Sequence, residues 1–167
     1  MKNNVVRSMV ANAVVATIYF ILTYFTSSFS FLGVQVRIAE ALVLLCFFRR
    51  DYTIGLTIGC IIANLISPLG MWDVLFGTLA TLLSCLLVSF MRHMFIATLL
   101  PVIINGFVVG AELYFLLEEP FWLNVGLVAL GEFVAVSILG YILFMVLGKK
   151  KYFQGLILAK RNIDFKW

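Results

Sequence analysis

Six long runs of apolar residues, separated by short polar segments, occupy most of this chain. They cover residues 5–25, 34–48, 52–67, 72–90, 95–117 and 121–147. A helix needs about 20 apolar residues to cross the roughly 30 Å hydrocarbon core of a bilayer. Four runs reach about that length, while 34–48 and 52–67 fall short of it. The pattern predicts an all-α integral membrane protein, a bundle of six transmembrane helices.

Composition supports this prediction and narrows the chemistry. The chain is 63% hydrophobic and only 12% charged, whereas a soluble domain has about 25% charged residues. The three cysteines lie inside apolar runs without CxxC spacing, so we interpret them as small apolar fillers. The sequence has neither a P-loop nor an HExxH motif, and its single histidine, His93, lies between two runs. We therefore expect no enzyme, no catalytic residue, no metal site and no cofactor.

The distribution of basic residues predicts the topology. Cytoplasmic loops of membrane proteins are enriched in Lys and Arg, and six crossings place nearly all basic clusters of this chain on one side. Those clusters contain Lys2, Arg7, Arg49, Arg50, Arg92, Lys149, Lys150 and Lys151. We predict cytoplasmic termini in a multi-pass protein of the bacterial cell membrane, with a solute-binding domain at 1–148 and a basic cytoplasmic tail at 149–167. The tail either lies along the inner membrane surface or is a plain positive anchor.

The two short runs leave an alternative, a re-entrant hairpin that enters from outside. Such a hairpin would place Arg49 and Arg50 near the middle of the membrane. That position costs several kcal/mol for each charge, about 2.5–3.5 on insertion scales. We favour two short spanning helices because they leave both arginines in water.

Polar residues inside the apolar runs are the strongest functional signal, because an ionisable residue at membrane depth marks a functional site by default. The candidate substrate-binding residues, contributed by five of the runs, are Arg37, Glu40, Asn64, Trp72, Asp73, Asn105, Glu112, Trp122, Asn124 and Glu132. Most of them fall in the predicted outer half, which favours a polar pocket open to the outside. The alternative is internal pairing as interhelical glue, Arg37 with Glu40 and the other acids protonated or bonded to Asn. The two tryptophans also fit an outer aromatic belt.

Small residues at four-residue spacing form rows on two runs. Gly55 and Gly59 lie on the third run, and Gly106 and Gly110 form GxxxG on the fifth. Such rows let helices approach closely. They predict close packing inside the bundle or, alternatively, docking to a partner helix.

Several ordered motifs resemble one known family. They are QVRIAEAL at 35–42, GLTIGCIIAN at 55–64, SPLG at 67–70 with Asp73, PVIIN at 101–105, VGAELY at 109–114, and FWLN at 121–124 with Gly131 and Glu132. In this order they resemble the queuosine-precursor transporter family, QueT type, an S component of energy-coupling factor (ECF) transporters. The resemblance covers residues 12–140, nearly the whole predicted bundle.

The resemblance implies a division of labour with other proteins. An S component has six helices with both ends in the cytoplasm and captures a vitamin-like solute near the outer face. A transmembrane T component and two cytoplasmic ATPases then supply the energy for uptake. Helix 1 of an S component often carries Ala-x-x-x-Ala for docking to the T component. Here Ala13 and Thr17 offer a small-xxx-small substitute.

The implied solutes are 7-deazaguanine precursors such as the 7-aminomethyl form, or queuine. A carboxylate accepts from the adjacent N–H donors of a guanine-like edge, a role for Glu112 or Glu132. An amide of Asn64, Asn105 or Asn124 would pair with the ring carbonyl. Glu40, oriented by Arg37, or Asp73 would balance a cationic aminomethyl group.

Other transport functions stay open at this point. Glu112 and Glu132 are also the groups that a self-sufficient proton- or ion-coupled transporter would use as a relay. The chain is alternatively an S component for another vitamin-like solute. A membrane enzyme is disfavoured because no catalytic constellation is present.

Overall fold

A computed structural model describes residues 2–26 and 36–161. Residues 27–35, between the first two apolar runs, and the end of the tail at 162–167 lie outside this part of the chain. Regular secondary structure within the described residues is entirely helical. The prediction of an all-α protein is confirmed for them.

The helices follow the six apolar runs closely. In chain order they are α1 (Lys2–Phe25), a 3-10 segment (Ile38–Leu44) continued by α2 (Leu45–Phe48), α3 (Tyr52–Asn64), α4 (Met71–Phe90), α5 (Met94–Leu117), α6 (Phe121–Glu132), a π segment (Phe133–Gly140), α7 (Tyr141–Leu147) and α8 (Lys151–Leu156). Four helical stretches are long and apolar enough to cross a membrane: Val5–Phe25, Met71–Phe90, Met94–Leu117 and Phe121–Leu147. Two apolar helices are shorter, Ile38–Phe48 and Tyr52–Asn64.

The first short helix is wound more tightly than the sequence pattern suggests. It begins at Ile38, and its first part is a 3-10 helix. A 3-10 helix rises about 2.0 Å per residue against 1.5 Å for an α-helix. Ile38–Phe48 therefore extends about 20 Å instead of about 16 Å. The winding also leaves Arg37 just before the first helical residue and Glu40 in the first turn.

The sixth run contains a second departure from α geometry. Its helix changes to a π segment directly after Glu132, over Phe133–Gly140. This segment packs on the 3-10 segment, and a Cβ added at Gly140 would lie 3.2 Å from Ala41 Cβ and 3.2 Å from Leu44 Cδ1. π geometry is rare and is frequent at functional sites. Here it follows a buried acid.

The glycine rows are used inside the bundle. A Cβ at Gly55 would lie 2.6 Å from the carbonyl oxygen of Asn12 on α1, and one at Gly110 would lie 2.8 Å from Val125 Cγ2 on α6. Real Cβ atoms do not approach other atoms this closely, so the glycines set the α1–α3 and α5–α6 distances. The packing alternative is confirmed at these two positions.

One end of the bundle collects the basic segments. Arg49 Nη2 donates to Ser8 Oγ at 2.7 Å, and Lys160 Nζ lies 3.6 Å from the Asp51 carboxylate. Arg161 donates to the Ser89 carbonyl at 2.8 Å. The start of α1, the turn between α2 and α3, the end of α4 and the tail thus share this end, which we call the basic end. The tail is tied to it by the Lys160 N–H, which donates to the Phe48 carbonyl at 3.0 Å.

Candidate functional site

Eight of the ten candidate binding residues are buried in the bundle interior. Each is at most 2% exposed: Arg37, Glu40, Asn64, Asp73, Asn105, Glu112, Asn124 and Glu132. We call these eight residues the interior cluster. They come from the first short helix and its approach, α3, α4, α5 and α6. Charged residues are almost never fully buried unless they are paired, so the partners of each group decide its role.

The two tryptophans lie elsewhere. Trp72 is 51% exposed and stacks on Phe76, with ring centroids 6.1 Å apart. Trp122 is 74% exposed and meets Phe107 edge to face. Both side chains therefore sit on the outer surface of the bundle, apart from the interior cluster. This position agrees with an aromatic belt better than with stacking on a ligand among the buried groups.

Arg37 and Asp73 form the ion pair of the cluster. Arg37 Nη2 lies 3.5 Å from Asp73 Oδ1, and Ser67 donates a short hydrogen bond to the other carboxylate oxygen. Asn64 donates to the Asp73 backbone carbonyl at 2.9 Å. A Cβ at Gly77 would lie 2.7 Å from Asn64 Nδ2 and 3.2 Å from Arg37 Nη1. The absence of a side chain at this position gives both groups room against α4.

Glu40 is held by two hydroxyl groups that sequence reasoning missed as functional residues. Tyr19 on α1 donates a short hydrogen bond to Glu40 Oε1, and Thr81 on α4 donates to the same oxygen at 2.8 Å. Tyrosine and threonine are common in apolar helices, so neither gave a signal of its own. Arg37 forms an ion pair with Asp73, whereas the internal-pairing alternative joined Arg37 to Glu40.

Other polar atoms of the cluster have no hydrogen-bond partner among the described residues. They are both carboxylate oxygens of Glu112, one oxygen each of Glu40 and Glu132, and the amide nitrogen of Asn124. The other two asparagines differ, because Asn64 donates to Asp73 and Asn105 donates to the Pro101 carbonyl at 3.1 Å. An unsatisfied buried polar group costs about 1–3 kcal/mol. Several of them in one place indicate a site that a polar ligand completes.

The cluster is also strongly acidic. Glu112 interacts electrostatically with Asp73 and Arg37 and lies close enough to Asp73 for a hydrogen bond when one of the two carboxyl groups is protonated, while Glu132 interacts with Glu40 and Arg37. If all four acids are ionised, the formal charge of these five side chains is 1 − 4 = −3. Uncompensated charge is unfavourable at such burial. The site therefore favours a ligand that brings N–H donors or positive charge.

The cluster is enclosed in this conformation. Three surface grooves of about 540, 280 and 300 Å³ are lined by residues outside it. The predicted open pocket is therefore a closed set of convergent groups in the described part of the chain.

The proposed docking residues lie on the surface of α1. Ala13 and Thr17 are both exposed, and the Thr17 hydroxyl donates to the Ala13 carbonyl at 2.9 Å. Only 17% of the apolar window of α1 is buried, against 39–50% for the three other long stretches. The first helix thus leaves a face free for lipid or for a partner.

Comparison with known proteins gives two matches. A family model described as QueT transporter matches residues 9–149. The chain is also similar to the "Queuosine precursor transporter QueT" of Lactococcus lactis subsp. cremoris (strain MG1363), with 35% identity over 168 residues, 90% of this chain and 97% of the relative. No solved structure matches the chain.

Proposed function

The chain belongs to the QueT transporter family, and we propose that it is the S component of an ECF transporter that captures a queuosine precursor. Membership confirms the family resemblance of the motifs. It also agrees with the prediction that the chain is a membrane protein and not an enzyme. The solute of the relative, a queuosine precursor, becomes the proposed solute of this chain.

The single observation that carries the proposal is the set of unsatisfied polar atoms in the interior cluster. With its neighbour Asp73 ionised, neither oxygen of Glu112 has a hydrogen-bond donor among the described residues, and the Asn124 amide nitrogen lacks an acceptor there. A 7-deazaguanine offers two adjacent N–H donors and a ring carbonyl. A carboxylate accepts two parallel N–H bonds, and an amide N–H donates to a carbonyl. Glu112 and Asn124 therefore match that edge.

The remaining acids suit the substituent of the ring. A 7-aminomethyl group is an ammonium ion at neutral pH, and a protein compensates a buried charge with an opposite one. Glu40 and Glu132 each keep one oxygen without a donor. Asp73 is the alternative partner, although Ser67 and Arg37 already contact it. We assign the ammonium to Glu132 or to Glu40, whose other oxygen accepts hydrogen bonds from the Tyr19 and Thr81 hydroxyls.

The proposed topology has six crossings with both termini in the cytoplasm. The basic end supports it, because the turn at Arg49 contacts the start of α1 and the tail. A re-entrant hairpin would bring the same turn to the middle of the bundle. The 3-10 winding adds length to the first short helix, which helps it reach across the core.

The ATP-driven step belongs to proposed partners. Ala13 and Thr17 present a small-residue pair on the exposed side of α1, and such pairs allow close helix contact. We place the T component there, with two ATPases bound to it in the cytoplasm. A bulky Ala13→Trp substitution should prevent assembly while leaving solute binding unchanged.

Purification of the chain from cells, followed by mass spectrometry of the bound small molecules, tests the function. The expected result is a 7-deazaguanine that binds the isolated protein with submicromolar affinity in calorimetry. A different vitamin would keep the S-component role and overturn the solute. Proton or ion current through the isolated chain in liposomes, without such binding, would favour the self-sufficient transporter instead.

A further inference from the structure

An apolar groove runs along α1 at the basic end. Its volume is about 540 Å³, and its walls come from α1, α7 and the tail helix α8 together with residues of the first short helix. The walls include Val10, Val14 and Ile18 of α1, Leu143 of α7, and Phe153 and Leu156 of α8. Several of these side chains are more than 40% exposed, for example Val14 at 52%. The groove is therefore an accessible apolar surface.

The length of the groove matches one membrane leaflet. On α1 it extends from Val6 and Arg7 to Ile18. Eleven residues separate Arg7 from Ile18, and an α-helix of that length rises about 16 Å. Half of a roughly 30 Å hydrocarbon core is about 15 Å. One acyl chain of a phospholipid fills such a groove from the interface to the middle of the bilayer.

A cationic pocket adjoins the apolar groove at the predicted interface. This second cavity of about 300 Å³ is lined by Arg7, Arg49, Leu158 and Lys160, and it shares Arg7 and Leu158 with the groove. Three basic side chains thus meet at the end of an acyl-sized channel. A cationic pocket beside an apolar groove is complementary to a phospholipid, which has a phosphate head group attached to acyl chains.

The charges of the pocket do not cancel internally. Asp51 accepts from Arg49 at 2.6 Å and lies 3.6 Å from Lys160. Counting Arg7, Arg49 and Lys160 against Asp51 gives a formal charge of 3 − 1 = +2. Ser8 also holds Arg49 in place, at 2.7 Å. A positive, partly fixed site favours an anionic head group over a zwitterionic one.

We propose that the groove and the pocket together bind one anionic phospholipid of the cytoplasmic leaflet. Its phosphate contacts Arg7, Arg49 and Lys160, and one acyl chain lies between α1, α7 and α8. The lipid ties the tail to the bundle, because Phe153, Leu156 and Leu158 form part of the channel. Ala13 and Thr17 do not line the groove, so the lipid lies beside the proposed partner surface. This lipid site does not depend on the proposed solute and requires only that the helices lie in a membrane.

Native mass spectrometry of the detergent-purified chain, titrated with phosphatidylglycerol or phosphatidylcholine, tests this site. We expect one phosphatidylglycerol to bind saturably, about tenfold or more tightly than phosphatidylcholine, since each nearby basic residue contributes about 1 kcal/mol. Arg7→Gln combined with Lys160→Gln should abolish the preference. Lys149→Gln combined with Lys150→Gln removes the same charge outside the pocket and should leave the preference intact.

A groove-filling variant separates the acyl chain from the head group. Val14→Trp should weaken the retention of either lipid, while Ile62→Trp, at an exposed position of α3 outside the groove, should not. Equal binding of the two lipids by the unmodified chain would overturn the proposal. Complete displacement of bound phosphatidylglycerol by inorganic phosphate would also overturn it, because that result would show a site for free anions. Loss of T-component assembly in Val14→Trp with unchanged lipid binding would assign the groove to a protein partner.

Discussion

The interior cluster and the basic end both contain charged side chains packed among helices. They differ in whether those side chains find hydrogen-bond partners within the chain. At the basic end, Arg49 is fixed by Asp51 and Ser8, and both of those groups contact solvent or further cations. In the interior, Glu112 has no donor for either oxygen within the described residues. The Arg49 guanidinium is thus paired within its own chain, although the basic end as a whole keeps a net positive charge. The interior cluster is incomplete in the way that a ligand site is.

Glu112→Gln should produce the largest change, because it converts an acceptor pair into one acceptor and one donor. The amide would point a donor at a ligand N–H. A hydrogen bond to a charged group contributes about 1.5–3 kcal/mol, so we expect binding of a 7-deazaguanine to weaken about 100-fold. Calorimetry with the purified chain measures it. Glu118→Gln, a similar change at an exposed residue just beyond α5, should alter affinity less than about twofold. Equal affinities in both variants would contradict the assignment.

Substitutions in the two regions should change the free energy of unfolding in opposite directions. Glu132→Leu removes a buried oxygen that lacks a donor and should raise the unfolding free energy of the ligand-free protein by about 1–2 kcal/mol. Arg49→Leu removes the partner of Asp51 and Ser8 and should lower it by about 1–2 kcal/mol. Thermal unfolding in detergent compares the two variants. A loss of stability in Glu132→Leu would mean that the acid is internally paired.

Within the interior cluster, Asn124 and Asn105 provide a finer contrast. Asn124→Ala should weaken ligand binding about fivefold to tenfold, because its free amide nitrogen is the proposed donor to the ring carbonyl. Asn105 already donates to the Pro101 carbonyl on its own helix. Asn105→Ala should therefore change affinity less than about threefold. The reverse order in a calorimetric titration would transfer the carbonyl contact to Asn105.

The smallest expected effect is the pH response of the basic end. The hydrogen bonds from Arg49, with the charges of Arg49 and Lys160, lower the pKa of Asp51 below its usual range. A carboxylate with a lowered pKa stabilises the fold above its unfolded value, about 3.9, and loses that contribution as the pH falls through the folded value. Asp51→Asn should cost less than about 1 kcal/mol at pH 7, because the carboxylate is partly exposed. Unfolding midpoints of the two proteins should converge below about pH 4.

Most residues of the candidate site could be predicted from the sequence, but the hydrogen bonds between them could not. All eight buried members of the cluster were predictable, because acids, Arg37 and Asn stand out in apolar runs. The Tyr19 and Thr81 contacts with Glu40 were not, since a hydroxyl in an apolar helix serves equally well as packing. The sequence did not decide whether Trp72 and Trp122 contact a ligand or belong to an outer aromatic belt, so their exposed positions were only one of two alternatives.

The helix types show a similar limit. Hydrophobic runs located the helices up to Leu147 but not α8 in the tail, and periodicity over a short apolar run does not separate 3-10, α and π winding. The close contact of Gly140 with Ala41 and Leu44 brings the 3-10 and π segments together. That contact joins residues about a hundred positions apart in the chain, so it has no local signature. The apolar groove likewise arises from separate elements of the chain, including α1, the first short helix, α7 and α8.

A double-mutant cycle between the protein and its ligand tests the central claim most directly. The two changes are Glu112→Gln and removal of the exocyclic amino group that supplies one N–H donor of the 7-deazaguanine, with all four affinities measured by calorimetry. If Glu112 binds that donor, each change alone weakens binding strongly and the combination adds little, a coupling of more than about 1 kcal/mol. Losses that simply add would place the ligand away from Glu112 and contradict the account.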